Sequence, residues 1–287
     1  MGLTASTGAL LAAANPPVAI ETHVHLFDPA RVPYAPDAPY KPPAYTLEDH
    51  VKLVEAAGLA HSVIVHPEPY QDDHRYLEYC FAHEPRPGYF KGTCLFDPLR
   101  EDTAGRMRAL SDRWPRRIVG LRIHEMSMTP ETGGPIRNRD MTDPRMLACW
   151  KAVAGLGMAV QMHFIPGQAP HIRALAAAFP ETTVILDHMG RPGQGTEKEY
   201  EEVLKLGELR NVILKYSNWA EYKGDLPRLT RRLYDAFGPR RMIWGGLGNK
   251  PAEYARLSAR FEESLAFAPE ADRALIRGGN AQRLFFS

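Results

Sequence analysis

Five residues near the start of the chain, Glu21-Thr22-His23-Val24-His25, place two imidazoles one strand step apart. Side chains alternate between faces along a strand, so Glu21, His23 and His25 are expected to share one face. Two imidazoles so placed can ligate one metal ion or contact one substrate oxygen. An isolated His-x-His fits equally well with histidines fixed by hydrogen bonds inside a core. Similar groups recur along the chain: His66, then Arg122 with His124, then His163, then Asp187-His188. Ionisable side chains beside apolar runs are costly unless something satisfies them. Their repetition favours a functional mouth.

Each of these groups closes a short apolar run. Residues 19–25, 62–66, 89–95, 118–124, 159–164, 183–188, 212–217 and 242–245 read as strands. The stretches between them carry helix signals. Thr46 and Asp49 make a capping box ahead of Val51, Leu53 and Val54, and Gly58 closes that helix. Asp143-Pro144 supplies an N-cap and a first-turn proline, and Thr196 with Glu199 opens a further capped helix. Eight strands alternating with helices predict a (β/α)₈ TIM barrel, with functional groups where strands run out into loops. A doubly wound open sheet is the alternative, but no Gly-x-Gly-x-x-Gly turn follows the first strand.

The chain has 287 residues, which suits one catalytic barrel over residues 19–287 behind a disordered or extended leader at 1–18. With 35 basic and 34 acidic side chains, the net charge of +1 offers no footprint for nucleic acid or an anionic membrane surface. No run approaches the ~20 apolar residues of a membrane span. Cys80, Cys94 and Cys149 form neither a disulfide framework nor a Cys-x-x-Cys pair, so a reducing, cytoplasmic setting is expected. The partner expected is a small-molecule substrate. Association into a homo-oligomer is left open.

The Glu21–His25 motif, Gly120-Leu121-Arg122, Gln161-Met162-His163, Leu186-Asp187-His188-Met189-Gly190-Arg191-Pro192 and the closing Asn280-Ala281-Gln282-Arg283-Leu284-Phe285 resemble amidohydrolase-related (amidohydrolase 2) proteins. The resemblance runs from about Ala19 to the end, with the motifs in order. It implies an amidohydrolase-type barrel with a hydrolase-like site carried by His23, His25, His163 and His188. Relatives include metal-dependent decarboxylases and hydratases, and metal-independent lactonases of the 2-pyrone-4,6-dicarboxylate type. Two departures stand out. The family's first motif usually begins with Asp, here Glu21. Its eighth strand normally ends Trp-Gly-Ser/Thr-Asp, whereas this chain reads Trp244-Gly245-Gly246-Leu247. That Asp commonly binds metal and takes a proton from water; leucine can do neither.

His23, His25 and His163 could still hold one divalent ion, Zn²⁺ foremost, with a position open for water. Loss of the aspartate predicts a labile or absent metal. Carboxylates able to accept a proton are Glu125 beyond strand four, Glu21, and Asp187, whose parity is opposite to that of His188. Without a metal, histidines could polarise a lactone carbonyl while a carboxylate activates water. Arg122 could pair with a substrate carboxylate, and Arg191 and Lys215 are further candidates. His66, Tyr70, His124 and Trp244 complete the expected substrate-binding set. The function expected is a hydrolase opening a lactone or cyclic ester of a small carboxylated or sugar-acid compound. The alternatives are a metal-dependent decarboxylase or hydratase, and a ligand-binding barrel that Leu247 has left without catalysis.

Overall fold

The computed structural model describes residues 18–219 and 222–287. Its strands are β1 (Ile20–Val24), β2 (His61–Val65), β3 (Phe90–Cys94), β4 (Ile118–Glu125), β5 (Ala159–Phe164), β6 (Val184–Leu186), β7 (Val212–Ser217) and β8 (Met242–Gly245). They pair in parallel in chain order. The sheet curls so that β8 lies against β1, where the Thr22 hydroxyl donates to the Trp244 carbonyl at 2.6 Å. Each strand is followed by a helix: α1 (Leu47–Ala57), α2 (Arg75–Ala82), α3 (Thr103–Arg113), α4 (Pro144–Gly155), α5 (Ala169–Ala178), α6 (Glu197–Lys205), α7 (Leu226–Phe237) and α8 (Pro251–Ser264). This is a TIM barrel. The leader expected over residues 1–18 lies outside the described residues, save for Val18.

The helix signals act as their chemistry requires. Thr46 with Asp49, and Thr196 with Glu199, form reciprocal capping boxes. Gly58 ends α1 at φ 62°, a conformation that glycine adopts without a Cβ penalty. Asp143 caps α4 through the Arg145 N–H, with Pro144 in its first turn. Among the described residues, no helix is long and apolar enough to cross a membrane. All three cysteines are buried and free.

Strand alternation divides the barrel into an apolar floor and a polar storey above it. Ile20, Val63, Ala159, Ile185, Ile213 and Ile243 pack together inside, with Ala281 and Phe285 beneath them. Burying a side chain of isoleucine size contributes about 1.5–3 kcal/mol. Two residues on from Ala159, Ile185 and Ile213 stand Gln161, Asp187 and Lys215, all buried. The opposite faces, with Leu121, Val160, Met162, Leu214 and Trp244, join the larger core shared with the helices. The floor fixes the phase of each strand, and so fixes which polar groups face inward at the C-terminal mouth.

Candidate active site

Asp187 is the hub of the polar storey. Arg122 Nε on β4 donates to its Oδ2 at 3.0 Å, and Gln161 Nε2 on β5 reaches both oxygens at 3.0 Å. Lys215 Nζ on β7 lies 3.4 Å from Oδ1, and His23 Nδ1 lies 3.5 Å from it. Burial pushes this carboxyl upward, but Lys215 and Arg122 outweigh it and hold Asp187 well below the usual carboxylate range. Burial lowers Lys215 to about 8, with Asp187 opposing the fall. Two cations face one anion.

Around this hub stand five imidazoles. Ring centroids are 4.8 Å apart for His23 and His25, 4.5 Å for His23 and His188, 5.2 Å for His163 and His188, and 4.9 Å for His124 and His163. Burial is the largest cause of depression in all five, carrying His25 and His188 to about 3 and the others well below 6.5. They are neutral at neutral pH, so each ring has one donor and one acceptor nitrogen.

The partners at the chain ends fix the tautomers. His25 Nδ1 lies 2.7 Å from the Val65 carbonyl and must donate to it. Its Nε2 therefore accepts from His23 Nε2 at 3.2 Å, which leaves the His23 Nδ1 lone pair facing Lys215 Nζ at 3.4 Å. On the other side, Arg191 Nη1 can only donate, and it meets His163 Nε2 at 2.8 Å. His163 thus carries its proton on Nδ1, 3.2 Å from His124 Nδ1. His124 is left with its proton on Nε2, a buried atom with no partner in the protein. His188 Nδ1 bonds the Ser217 hydroxyl at 2.9 Å.

Local backbone geometry delivers these groups. His188, Met189, Gly190 and Arg191 all have φ between 53° and 70°, a left-handed run that brings His188 and Arg191 inward from the end of β6. Such conformations cost about 1–3 kcal/mol for each non-glycine residue and persist where packing over-determines them. A Cβ at Gly190 would lie 2.4 Å from Val203, and one at Gly245 2.8 Å from the His23 side chain. A pocket of about 200 Å³ opens beside His23 and His25, lined also by Phe27, Tyr45, Leu247 and Asn249. A larger cavity of about 800 Å³ sits at the N-terminal end of the strands by Ile118, Ala159 and Phe286, away from the imidazoles.

The structure thus brings together His23, His25, Arg122, His124, His163, His188, Arg191 and Lys215, and it sends four expected residues elsewhere. Glu125 is out of phase with Arg122 and His124; its Oε1 accepts the Arg139 N–H, and burial raises its pKa to about 9. It is a buried neutral acid, not an accessible base. Trp244 is out of phase with Ile243 and packs outward against Tyr254, Phe261 and Arg277. The Tyr70 hydroxyl is taken by the Asp28 N–H, and His66 Nε2 by the Gln71 carbonyl. Both shape the loop after β2. Glu21 also departs from simple alternation: the β1–β2 register shifts between Glu21 and Val24, and the Glu21 oxygens accept the N–H groups of His23 and Gly246. Asp187, a candidate proton acceptor from the sequence, faces inward because it is in phase with Ile185. Gln161 and Ser217, in phase with Ala159 and Lys215, were legible by the same count.

Among the described residues, the three donors close enough to hold a metal ion together are His23, Asp187 and His188, all within 4.8 Å of one another. This trio shares His23 with the expected set His23, His25 and His163; in that set the ring nitrogens of His25 meet His23 and the Val65 carbonyl, and those of His163 meet His124 and Arg191. Two nitrogens and a carboxylate oxygen suit a borderline divalent cation. The fit is contested by Lys215, whose ammonium faces both the His23 lone pair and Asp187.

A family model described as Amidohydrolase matches residues 20–286. A 4-sulfomuconolactone hydrolase of Rhizobium radiobacter is 30% identical over 179 residues, which are 62% of this chain and 55% of that protein. The chain thus matches little more than half the length of that relative. Among solved structures, a probable 2-pyrone-4,6-dicarboxylic acid hydrolase of Acinetobacter baumannii with bound citric acid superposes with a TM-score of 0.73. It is 20% identical and covers 94% of this chain and 99% of its own. An amidohydrolase of Burkholderia multivorans with bound zinc gives 0.74 at 19% identity, over 94% and 99%.

Proposed function

The chain belongs to the amidohydrolase family, and from that premise we propose that it is a hydrolase that opens a lactone of a small, negatively charged compound. The observation that carries the reading is the charge at the barrel centre. There Arg122 and Lys215 flank the one carboxylate of Asp187, a local surplus of positive charge that Glu21 and Glu68 partly offset. An anionic substrate would neutralise that surplus, and a planar guanidinium matches a carboxylate or sulfonate well. The neutral imidazoles supply the rest. The fixed Nε2–H of His124 can donate to a lactone carbonyl and to the oxyanion that forms when water adds. The named activities of the lactone-hydrolysing relative and of the pyrone-dicarboxylate structure point the same way.

His23, Asp187 and His188 would hold a divalent ion, zinc foremost, and a structural relative binds zinc. Such an ion would polarise water. Lys215 competes for the same donors, so the ion would be labile. That donor set also favours a second reading, a metal-dependent decarboxylase or hydratase.

Titration of released acid at constant pH tests the reading on 4-sulfomuconolactone, 2-pyrone-4,6-dicarboxylate and uncharged lactones of similar size. Turnover of anionic lactones, with loss of a hundredfold or more in His163→Ala, is expected. If no lactone opens, or if His163→Ala is as fast as wild type, the reading fails.

A further inference from the structure

Hydrolysis of a lactone needs a group that takes a proton from the attacking water, and each buried carboxylate at the mouth can be tested for a free lone pair. Asp187 is spent on Arg122, Gln161 and Lys215. Glu21 is spent on two backbone N–H groups. Glu125 leaves one buried oxygen, Oε2, without a partner in the protein, but it is out of phase with His124. Its Oε1 accepts the Arg139 N–H, and burial raises its pKa to about 9, so it holds a proton at neutral pH. Leu247 offers no acid.

Glu68, on the loop after β2, differs from all of these. Its residue is 8% exposed, its Oε2 lies 3.4 Å from His124 Nδ1, and its Oε1 is buried without a partner in the protein. Leaving a carboxylate oxygen buried and unpaired is expensive. The position is also rigid. Pro67 and Pro69 flank it, and its own carbonyl accepts from the N–H and the side chain of Gln71 at 2.8 and 2.6 Å. Gln71 holds φ at 50° and receives the Ile136 N–H on its side-chain oxygen, so the loop after β4 clamps the same turn. Strain of this kind, invested in one carboxylate beside one imidazole, marks a site built for use.

We propose that Glu68 is the carboxylate that accepts the proton of the attacking water, beside the His124 ring. The proposal rests on the hydrolytic reading above. Water loses one proton to Glu68 Oε1 as its oxygen bonds to the lactone carbonyl carbon, and the carbonyl oxygen becomes the oxyanion held by His124 Nε2–H. The ring C–O bond then breaks. The leaving oxygen takes the proton from Glu68, which returns to its carboxylate form, and the acid product ionises to solvent. Burial raises the Glu68 pKa, and Arg122 and Arg137 restrain the rise while Glu131 adds to it. That moves a carboxylate toward the range where it serves as a base near neutral pH.

The test compares wild type, Glu68→Gln and Glu68→Ala on whichever lactone the wild type opens, with folding followed by circular dichroism. Glu68→Gln is expected to lose roughly 10²–10⁴-fold in kcat with KM little changed. Added formate is expected to restore part of the kcat of Glu68→Ala, which a merely structural residue would not allow. Should both variants fail to fold, Glu68→Asp carries the test through a fall in kcat at unchanged KM. Wild-type rates in Glu68→Gln, or an inactive Glu68→Ala deaf to formate, would overturn the assignment while the hydrolytic reading stands. A wild type that opens no lactone removes both.

Discussion

Arg122 Nε reaches Asp187 Oδ2 at 3.0 Å with both side chains almost wholly shielded from solvent, joining the ends of β4 and β6 across the barrel. The pair is less a source of stability than a means of placing positive charge where water is scarce. Desolvating two ions costs about as much as their attraction returns, and the cost becomes visible only when one partner is removed. Lys215 makes the imbalance greater, because it depends on the same carboxylate.

Asp187→Ala should therefore destabilise the fold by about 3–5 kcal/mol, since it strands two buried cations. Asp187→Asn keeps the shape and one acceptor oxygen, and should cost less. Urea unfolding of the two variants measures both. An Asp187→Ala protein as stable as wild type would show that the cations do not depend on this carboxylate.

Removing the competitor should reveal the metal site. Lys215→Met deletes the ammonium that faces His23 and Asp187, so zinc binding followed by calorimetry should tighten roughly tenfold or more, equivalent to about 1.4 kcal/mol. If the proposed hydrolytic reading holds, the wild-type rate on a lactone should survive chelation. Equal zinc affinity in both proteins would mean that the ammonium does not occupy the ion's place.

Glu125 sets a pH dependence of stability unrelated to catalysis. Burial raises its pKa from 4.5 to about 9, so between those values the folded state holds a proton that the unfolded state has lost. Stability contributed by the protonated form is complete below pH 4.5 and falls as pH rises, by up to about 1.4 kcal/mol per unit. Glu125→Gln removes this slope. Its melting temperature should match wild type near pH 5 and exceed it increasingly toward pH 8, and parallel curves for the two proteins would refute the assignment.

The barrel was legible because its signals are local. Capping boxes at Thr46 and Thr196 and the apolar floor residues mark elements within a few residues of sequence. The site was legible where strand alternation holds, as for Arg122 with His124 and for Lys215. It was obscured where alternation breaks. Strand β6 ends at Leu186 and a left-handed run follows, so the parity of His188 says nothing about the face that Asp187 takes. On β8, Ile243 faces the barrel interior, which turns the adjacent Trp244 outward to the helices. Glu68 sits in a loop whose clamp, from Gln71 to Ile136, spans 65 positions and leaves no periodic trace.

Arg191 offers a test of the tautomers themselves. Because its guanidinium only donates, it forces the lone pair onto His163 Nε2 and, through Nδ1, the proton onto His124 Nε2. Arg191→Met frees His163 to carry its proton on either nitrogen, and His124 then loses its enforced donor role. Nitrogen-15 NMR of the imidazoles should show His124 protonated on Nε2 in wild type and a mixture in the variant. Activity should follow: an oxyanion donor present only part of the time, and poorly aimed, should lower kcat roughly 10–100-fold, less than the 10²–10³-fold for outright removal of such a donor. A variant that keeps the wild-type His124 spectrum would show that the proton is placed by something other than this chain of bonds.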